Sequence, residues 1–259
     1  VAVNWRWIPT LTADGATQMA LDAWMLQQLA GGSGPMLRFY RWSRPTLSLG
    51  VHQRQLEPHW SELAAAGVID SVRRPSGGRA VLHAGELTYA LVCRPVSRRR
   101  LEAYGQACRW LQEAFAGLGQ PLQFGAAAAV DAHRRSSCFA RAAAADLVHA
   151  NGAKRIGSAQ LWRGPLLLQH GSVLLDPPPP LWRQLFGEDP PPLTPLGCSV
   201  EELESRLRFQ AERHLCEGGL IEQALTGAEW QAVQAGRSAY DSPLACIERA
   251  TEASAIPSG

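Results

Sequence analysis

No apolar run in this chain is long enough to cross a bilayer, and the N-terminus lacks a leader pattern; a soluble, cytoplasmic protein without a membrane partner is the expectation. No CxxC pair occurs among Cys93, Cys108, Cys138, Cys198, Cys216 and Cys246, which argues against a structural zinc site or a thioredoxin-type motif, so no metal is expected. Excess charge is also missing. A formal net charge of +2 gives no footing for nucleic acid. Neither G-x-x-x-x-G-K-[ST] nor G-x-G-x-x-G is present. Lysine is scarce, and arginine supplies nearly all the positive charge.

What is present is a chain of 259 residues, 46% hydrophobic and 19% charged, enough for a sizeable core in one large domain. Dispersed cysteines in such a chain read as reduced thiols, most of them small buried hydrophobes. WRWIPT predicts a strand, and Ala16 to Ala30 a helix that GGSG ends. MLRFYRW and PTLSLG predict two strands meeting at a turn around Ser43 to Pro45. Pro58 to Ala66 suggests a helix stopping at Gly67, and VIDSVRR a strand. ELTYALVC alternates like a half-buried strand. Leu101 to Leu118 predicts a helix with Leu101, Tyr104, Cys108, Leu111 and Phe115 along one face. A strand, a turn and two more strands follow from DLVHANG to GSVLLD. Proline then excludes continuous helix or central strand through DPPPP and DPPPLTP. Val200 to Glu217 is amphipathic, and Glu229 opens a last helix. Strands and helices mix without regular βαβ alternation, which predicts an α+β fold with a mixed, largely antiparallel sheet flanked by helices.

The stretch RRPSGGRAVLHAGELTYAL, Arg73 to Leu91, concentrates polar residues where a loop meets a strand. Gly77 and Gly78 let backbone pass close to a ligand, and Arg73 and Arg74 have the fork geometry to clamp an anion. On spacing alone a tight turn with solvated arginines explains the motif better. NGAKRIGSAQ places Lys154 three residues before Gly157 and Ser158. A compact charge with a movable pKa suits a place beside a reacting carbonyl. LLLQHGSVLLD brings His170 and Gly171 on a strand.

These stretches, together with MALD and MLRFYRWSRPTLSLGVHQ, resemble the biotin/lipoate protein ligase superfamily, in family order over roughly residues 5 to 176. The form GGRAVLH…ELTY is most similar to the cysteine-dependent octanoyltransferases; ATP-dependent lipoate ligases more often carry a third glycine where this chain has Arg79. The resemblance implies the catalytic-domain fold of that superfamily. It implies a catalytic core over 1–176, with 177–259 a proline-rich connection and helical part of the same domain. It places Arg73, Arg74, Ser76, Gly77, Gly78, Arg79, His83, Gly157, Ser158, His170 and Gly171 around the acyl group and its carrier, with Trp42, Leu49 and Gly50 walling the acyl tunnel.

In SSCFARAAAADLV the resemblance makes Cys138 the nucleophile, followed by Phe139, with Asp146 and Leu147 at the family's spacing. Lys154 would favour the thiolate, steady the oxyanion and later shuttle the proton of the incoming amine. Moving an acyl group between thioesters is nearly balanced, so no ATP and no cofactor are implied. The implied donor is octanoyl-acyl carrier protein, and the acceptor a lysine of a lipoyl domain such as glycine cleavage H protein, with the enzyme a monomer. Three other functions remain open: an octanoyl amidotransferase between lipoyl-domain proteins, an ATP-dependent lipoate ligase, and a catalytically silent acyl- or partner-binding module, the last kept open by ARAAAA after Cys-Phe. The run Ser97 to Arg100 is read first as a solvated helix start, and second as a basic rim for an acidic carrier.

Overall fold

A computed structural model describes residues 3–125, 146–241 and 243–244. In chain order the large sheet takes β1 (Trp5–Ala13), β2 (Met36–Trp42), β6 (Glu86–Cys93), β7 (Gln123–Phe124), β8 (Leu147–Val148), β9 (Lys154–Arg163), β10 (Leu166–Leu174) and β11 (Leu220–Glu222). Its spatial order is β11-β1-β2-β6-β10-β9-β8-β7. Only β11/β1 and β1/β2 are parallel; the other pairings are antiparallel, as the α+β expectation required. A second sheet runs β4-β3-β5, from β3 (Thr46–Leu49), β4 (Asp70–Arg73) and β5 (Val81–His83).

Helices cover both faces of the large sheet. On one side α3 (Arg100–Ala116) and α5 (Val200–Leu215) pack Trp110, Leu111, Phe115, Leu203 and Leu207 against Leu87, Tyr89 and Leu91 of β6. On the other, α1 (Gly15–Ala30) packs Met19, Leu21, Met25 and Leu26 against Ala90 and Val92. β6 therefore departs from the half-buried expectation: Glu86 through Val92 are all buried. A strand at the centre of a sheet covered on both faces needs no polar side.

Three further differences from the sequence reading have local causes. β2 and β3 meet at Ser43–Pro45, but the turn hands the chain from one sheet to the other. Leu101 is 73% exposed, whereas Cys108, Leu111 and Phe115 are fully buried; the first turn of α3 overhangs the core. The proline-rich stretch holds a short helix, α4 (Pro179–Phe186), because its prolines fall at the first turn, where a missing N–H costs no helical bond. Trp182 and Leu185 of α4 join Trp60 and Leu63 of α2 (Pro58–Ala65) under the small sheet.

The C-terminal part returns to the first strand. β11, which no sequence signal announced, extends the sheet beyond β1, and α6 (Gly227–Ala235) starts on a capping box between Thr226 and Glu229. Arg6 of β1 grips that helix start, bonding Glu229 at 2.7 and 2.9 Å. No helix among the described residues is long and apolar enough to cross a membrane.

Candidate active site

The glycine loop links β4 to β5 and is built around one guanidinium. Arg74 donates to Ser48 O at 2.8 Å, Ser48 Oγ at 3.1 Å, Gly77 O at 2.9 Å and Arg79 O at 2.6 Å. Its fork joins the loop's carbonyls to Ser48 of β3, and the side chain is buried. Arg73 turns the other way and holds Gly50 O at 2.8 Å and Gln53 O at 2.9 Å. Both arginines, expected against an anion, thus brace backbone. Gly78 has φ +101°, a left-handed backbone that favours glycine. A Cβ on Gly50 would lie 2.0 Å from Gly78 O, so β3 and the loop touch backbone to backbone. A Cβ on Gly77 would meet nothing within 4 Å among the described residues, which leaves room beside that backbone.

Two histidines tie this loop and the small sheet to the large one. His83 is stacked on Trp42 at 3.9 Å, with Nε2 2.7 Å from Ser48 Oγ and Nδ1 against Glu86. Glu86 also accepts from Thr88 Oγ1 at 2.8 Å and from Ser172 Oγ, and Thr88 in turn accepts the Trp42 indole N–H at 2.9 Å. His170 on β10 bonds Ser76 Oγ through Nε2 at 2.5 Å and Asp22 Oδ2 through Nδ1 at 2.8 Å. Asp22 is fully buried and accepts from Arg38 Nη2 at 2.6 Å and Nε at 3.0 Å. Burial pushes the Asp22 carboxyl up, but the Arg38 charge and the His170 bond outweigh it and hold the group below the ordinary value.

Lys154 opens β9, pairs in register with Val148 of β8, and is 2% exposed. It is the single lysine of the chain. Its Nζ lies 2.8 Å from Asp146 Oδ2, on a side chain nearly as deeply buried. Neighbouring Arg155 faces elsewhere: it donates to Leu174 O and Thr194 O and to His149 Nε2, pinning the proline-rich segment to the sheet. Burial lowers the Arg155 guanidinium to about 10.

Further along β9, Gly157 and Ser158 stand opposite Ser172 and Gly171. The side of Gly171 that lacks a Cβ is filled by Tyr89 of β6, whose ring would lie 2.5 Å from an added Cβ.

Cys138 and Phe139 lie outside the described residues. The surroundings of the four described cysteines favour the thiol over the thiolate. Burial pushes Cys93, Cys108 and Cys216 up to about 12, and burial with Glu202 raises Cys198.

The sequence reading missed the buried partners Asp22, Arg38, Ser48 and Glu86. A signal existed for the first two: a carboxylate inside the apolar run MALDAWML and an arginine inside MLRFY, opposite charges on segments otherwise destined for the core. The run Arg98 to Arg100 follows the end of β6 at Cys93, a strand length on the order of 20 Å from Glu86. There Ser97 and Arg99 bond Glu102 at the start of α3. Among the described residues no group of three or more His, Cys, Asp or Glu is placed to hold a metal ion.

Residues 14–187 match the Lipoyl protein ligase A/B catalytic domain. The chain is 41% identical over 178 residues to Octanoyltransferase LipM of Carboxydothermus hydrogenoformans, covering 66% of this chain and 65% of that protein. It is 36% identical over 219 residues to Octanoyltransferase LipM of Symbiobacterium thermophilum, covering 80% and 76%. The first match thus spans just under two thirds of that relative's length. Among solved structures, lipoate-protein ligase A bound with ATP superposes with a TM-score of 0.74 at 18% identity, over 91% of this chain and 94% of that one. A bi-partite lipoate protein ligase from Thermoplasma acidophilum gives 0.71 at 16%, over 92% and 93%. At these identities the superpositions speak for the fold, and the family follows from the sequence matches. The chain belongs to the lipoyl protein ligase A/B catalytic domain family.

Proposed function

We propose that this protein is an octanoyltransferase of lipoate biosynthesis, taking an octanoyl group from acyl carrier protein onto Cys138 and passing it to the target lysine of a lipoyl domain. The observation that carries the proposal is the burial of the chain's single lysine, Lys154, as an ion pair with Asp146 at the head of β9. An ammonium removed from water and paired with a carboxylate is suited to stabilising negative charge that develops on a carbonyl oxygen. Relatives named octanoyltransferase, at 35–41% identity, support the same reaction.

In the first step the Cys138 thiolate attacks the carrier thioester, and the carrier sulfur takes a proton from Lys154 and leaves as a thiol, so one thioester replaces another. In the second the acceptor amine attacks, its proton passes to the now neutral Lys154, and the Cys138 sulfur leaves as the thiolate that began the cycle. The thioester supplies the activation, and ATP has no part. Four of the six cysteines are held as thiols by their surroundings, which adds weight to Cys138 as nucleophile. Residues 1–176 form the catalytic core in this proposal, and 177–259 belong to the same domain. The β11–β1 pairing and the Arg155–Thr194 bond support that division.

Incubation with octanoyl-acyl carrier protein in the absence of ATP tests the function. Intact mass should show one octanoyl group on the enzyme, released by hydroxylamine and absent in Cys138→Ala; adding glycine cleavage H protein should move it to the acceptor. An enzyme that stays unmodified, or needs ATP, refutes the proposal.

A further inference from the structure

The bonds around His170 run in one direction. Asp22 is ionised and can only accept, so Nδ1 of His170 carries the proton it donates. In the neutral ring Nε2 is then an acceptor, and the Ser76 hydroxyl must donate to it. Ser76 is held a second time, its carbonyl accepting from Val51 N at 3.0 Å. Gly77 and Gly78 follow at once. The chain of bonds therefore runs from α1, through β10, to the residue before the glycine turn, across sequence separations of 148 and 94 residues.

We propose that Asp22 is a positioning residue of the acyl-transfer site: by fixing the proton on His170 Nδ1 it orients the Ser76 hydroxyl and holds the Gly77–Gly78 turn against the large sheet. The inference rests on the octanoyltransferase reading for its kinetic consequence, though not for the loop's anchorage. Serine, histidine and aspartate in this order also suggest a nucleophile, but two observations oppose it. Ser76 is 1% exposed. Arg38 already balances the Asp22 charge through two bonds, and Tyr40 OH adds a third contact at 3.3 Å, so the carboxylate has little left with which to stabilise an imidazolium.

Three variants, Asp22→Asn, Ser76→Ala and Ser76→Thr, test this. In Asp22→Asn the amide can donate to Nδ1, which moves the ring proton to Nε2 and reverses the bond to Ser76. Octanoyl-transfer kcat should fall about ten- to a hundredfold, with the donor KM changing less than about threefold, because a small misplacement of a bound acyl group costs rate before affinity. Asp22→Asn also unbalances Arg38, so Ser76→Ala reads the same chain of bonds from its other end without touching a charge. It should give the same loss of kcat with a melting temperature lowered by only about a few degrees, the cost of leaving His170 Nε2 without this partner, and Ser76→Thr should restore most of the activity.

Hydrogen–deuterium exchange over residues 73–80 gives the second readout: Ser76→Ala should speed exchange there and nowhere else. Wild-type kcat together with wild-type exchange in Ser76→Ala would overturn the proposal. Labelling of Ser76 by a fluorophosphonate in the wild-type protein would overturn it as well, since that requires an exposed, attacking hydroxyl. If the wild-type protein transfers no octanoyl group, the octanoyltransferase reading fails and exchange alone decides whether the chain of bonds anchors the loop.

Discussion

The phenol oxygen of Tyr89 on β6 lies 2.8 Å from the hydroxyl of Ser158 on β9, reaching across β10 over Gly171. The same phenol accepts from Gln169 Nε2 at 2.7 Å. Gly171 is required because a Cβ there would stand 2.5 Å from the tyrosine ring and 2.7 Å from Ser158 Oγ. Gly171→Ala should cost about 1–3 kcal/mol through overpacking. Tyr89→Phe should cost about 1–3 kcal/mol by leaving buried Gln169 without this partner. Urea unfolding monitored by tryptophan fluorescence measures both; a neutral Gly171→Ala would show that β6 and β9 can separate over β10.

The Lys154–Asp146 pair separates stability from chemistry. Lys154→Met leaves a buried carboxylate without this counter-charge and should cost about 3–5 kcal/mol. Adding Asp146→Leu should recover much of that stability. Octanoyl transfer should be lost in both the single and the double variant. A double variant that is stable and active would remove Lys154 from the mechanism.

Alkylation should sort the cysteines. With their thiols pushed up to about 12, Cys93, Cys108 and Cys216 should resist iodoacetamide at neutral pH in the folded protein. Cys138 should react first, and octanoyl-acyl carrier protein should protect it. Peptide mapping after brief labelling tests the order, and a Cys138 slower than those three would contradict a nucleophilic role.

Docking of the last helix should loosen only in strong acid. Hydrogen bonds from Arg6 hold the Glu229 carboxyl down to about 2, from an ordinary 4.5. A carboxyl lowered on folding contributes stability that is fully present above about 4.5 and fades as pH falls through about 2. Arg6→Ala should loosen α6 already at neutral pH and flatten its acid dependence between about 4.5 and about 2, seen as a weakened change in the fluorescence of Trp230 on α6 during acid titration.

Short-range properties of the chain were readable before any coordinates. Helical spacing marked α1, α3 and α5, strand-like runs marked β1 and β10, and Gly67 and Gly78 took the positive φ their turns require. The motifs likewise marked the glycine loop, Lys154 and His170 as residues of interest. Less legible were features whose cause lies far along the chain. β6 alternates in sequence, yet both its faces are covered, one by α1 and one by α3 and α5. β11 is three residues long and has no pattern of its own; it exists because β1 offers an edge.

The amino-acid sequence by itself determined the class of fold, the family signature and the types of side chain at the site, because periodicity and motif spacing are local. Only the tertiary structure decided that Arg74 braces the glycine loop while Arg73 holds the turn after β3, that Asp146 faces Lys154, and that Asp22 bonds His170 from 148 residues away. The physical reason is that a buried polar group must find a partner wherever packing brings one, and packing joins elements without regard to their order in the chain.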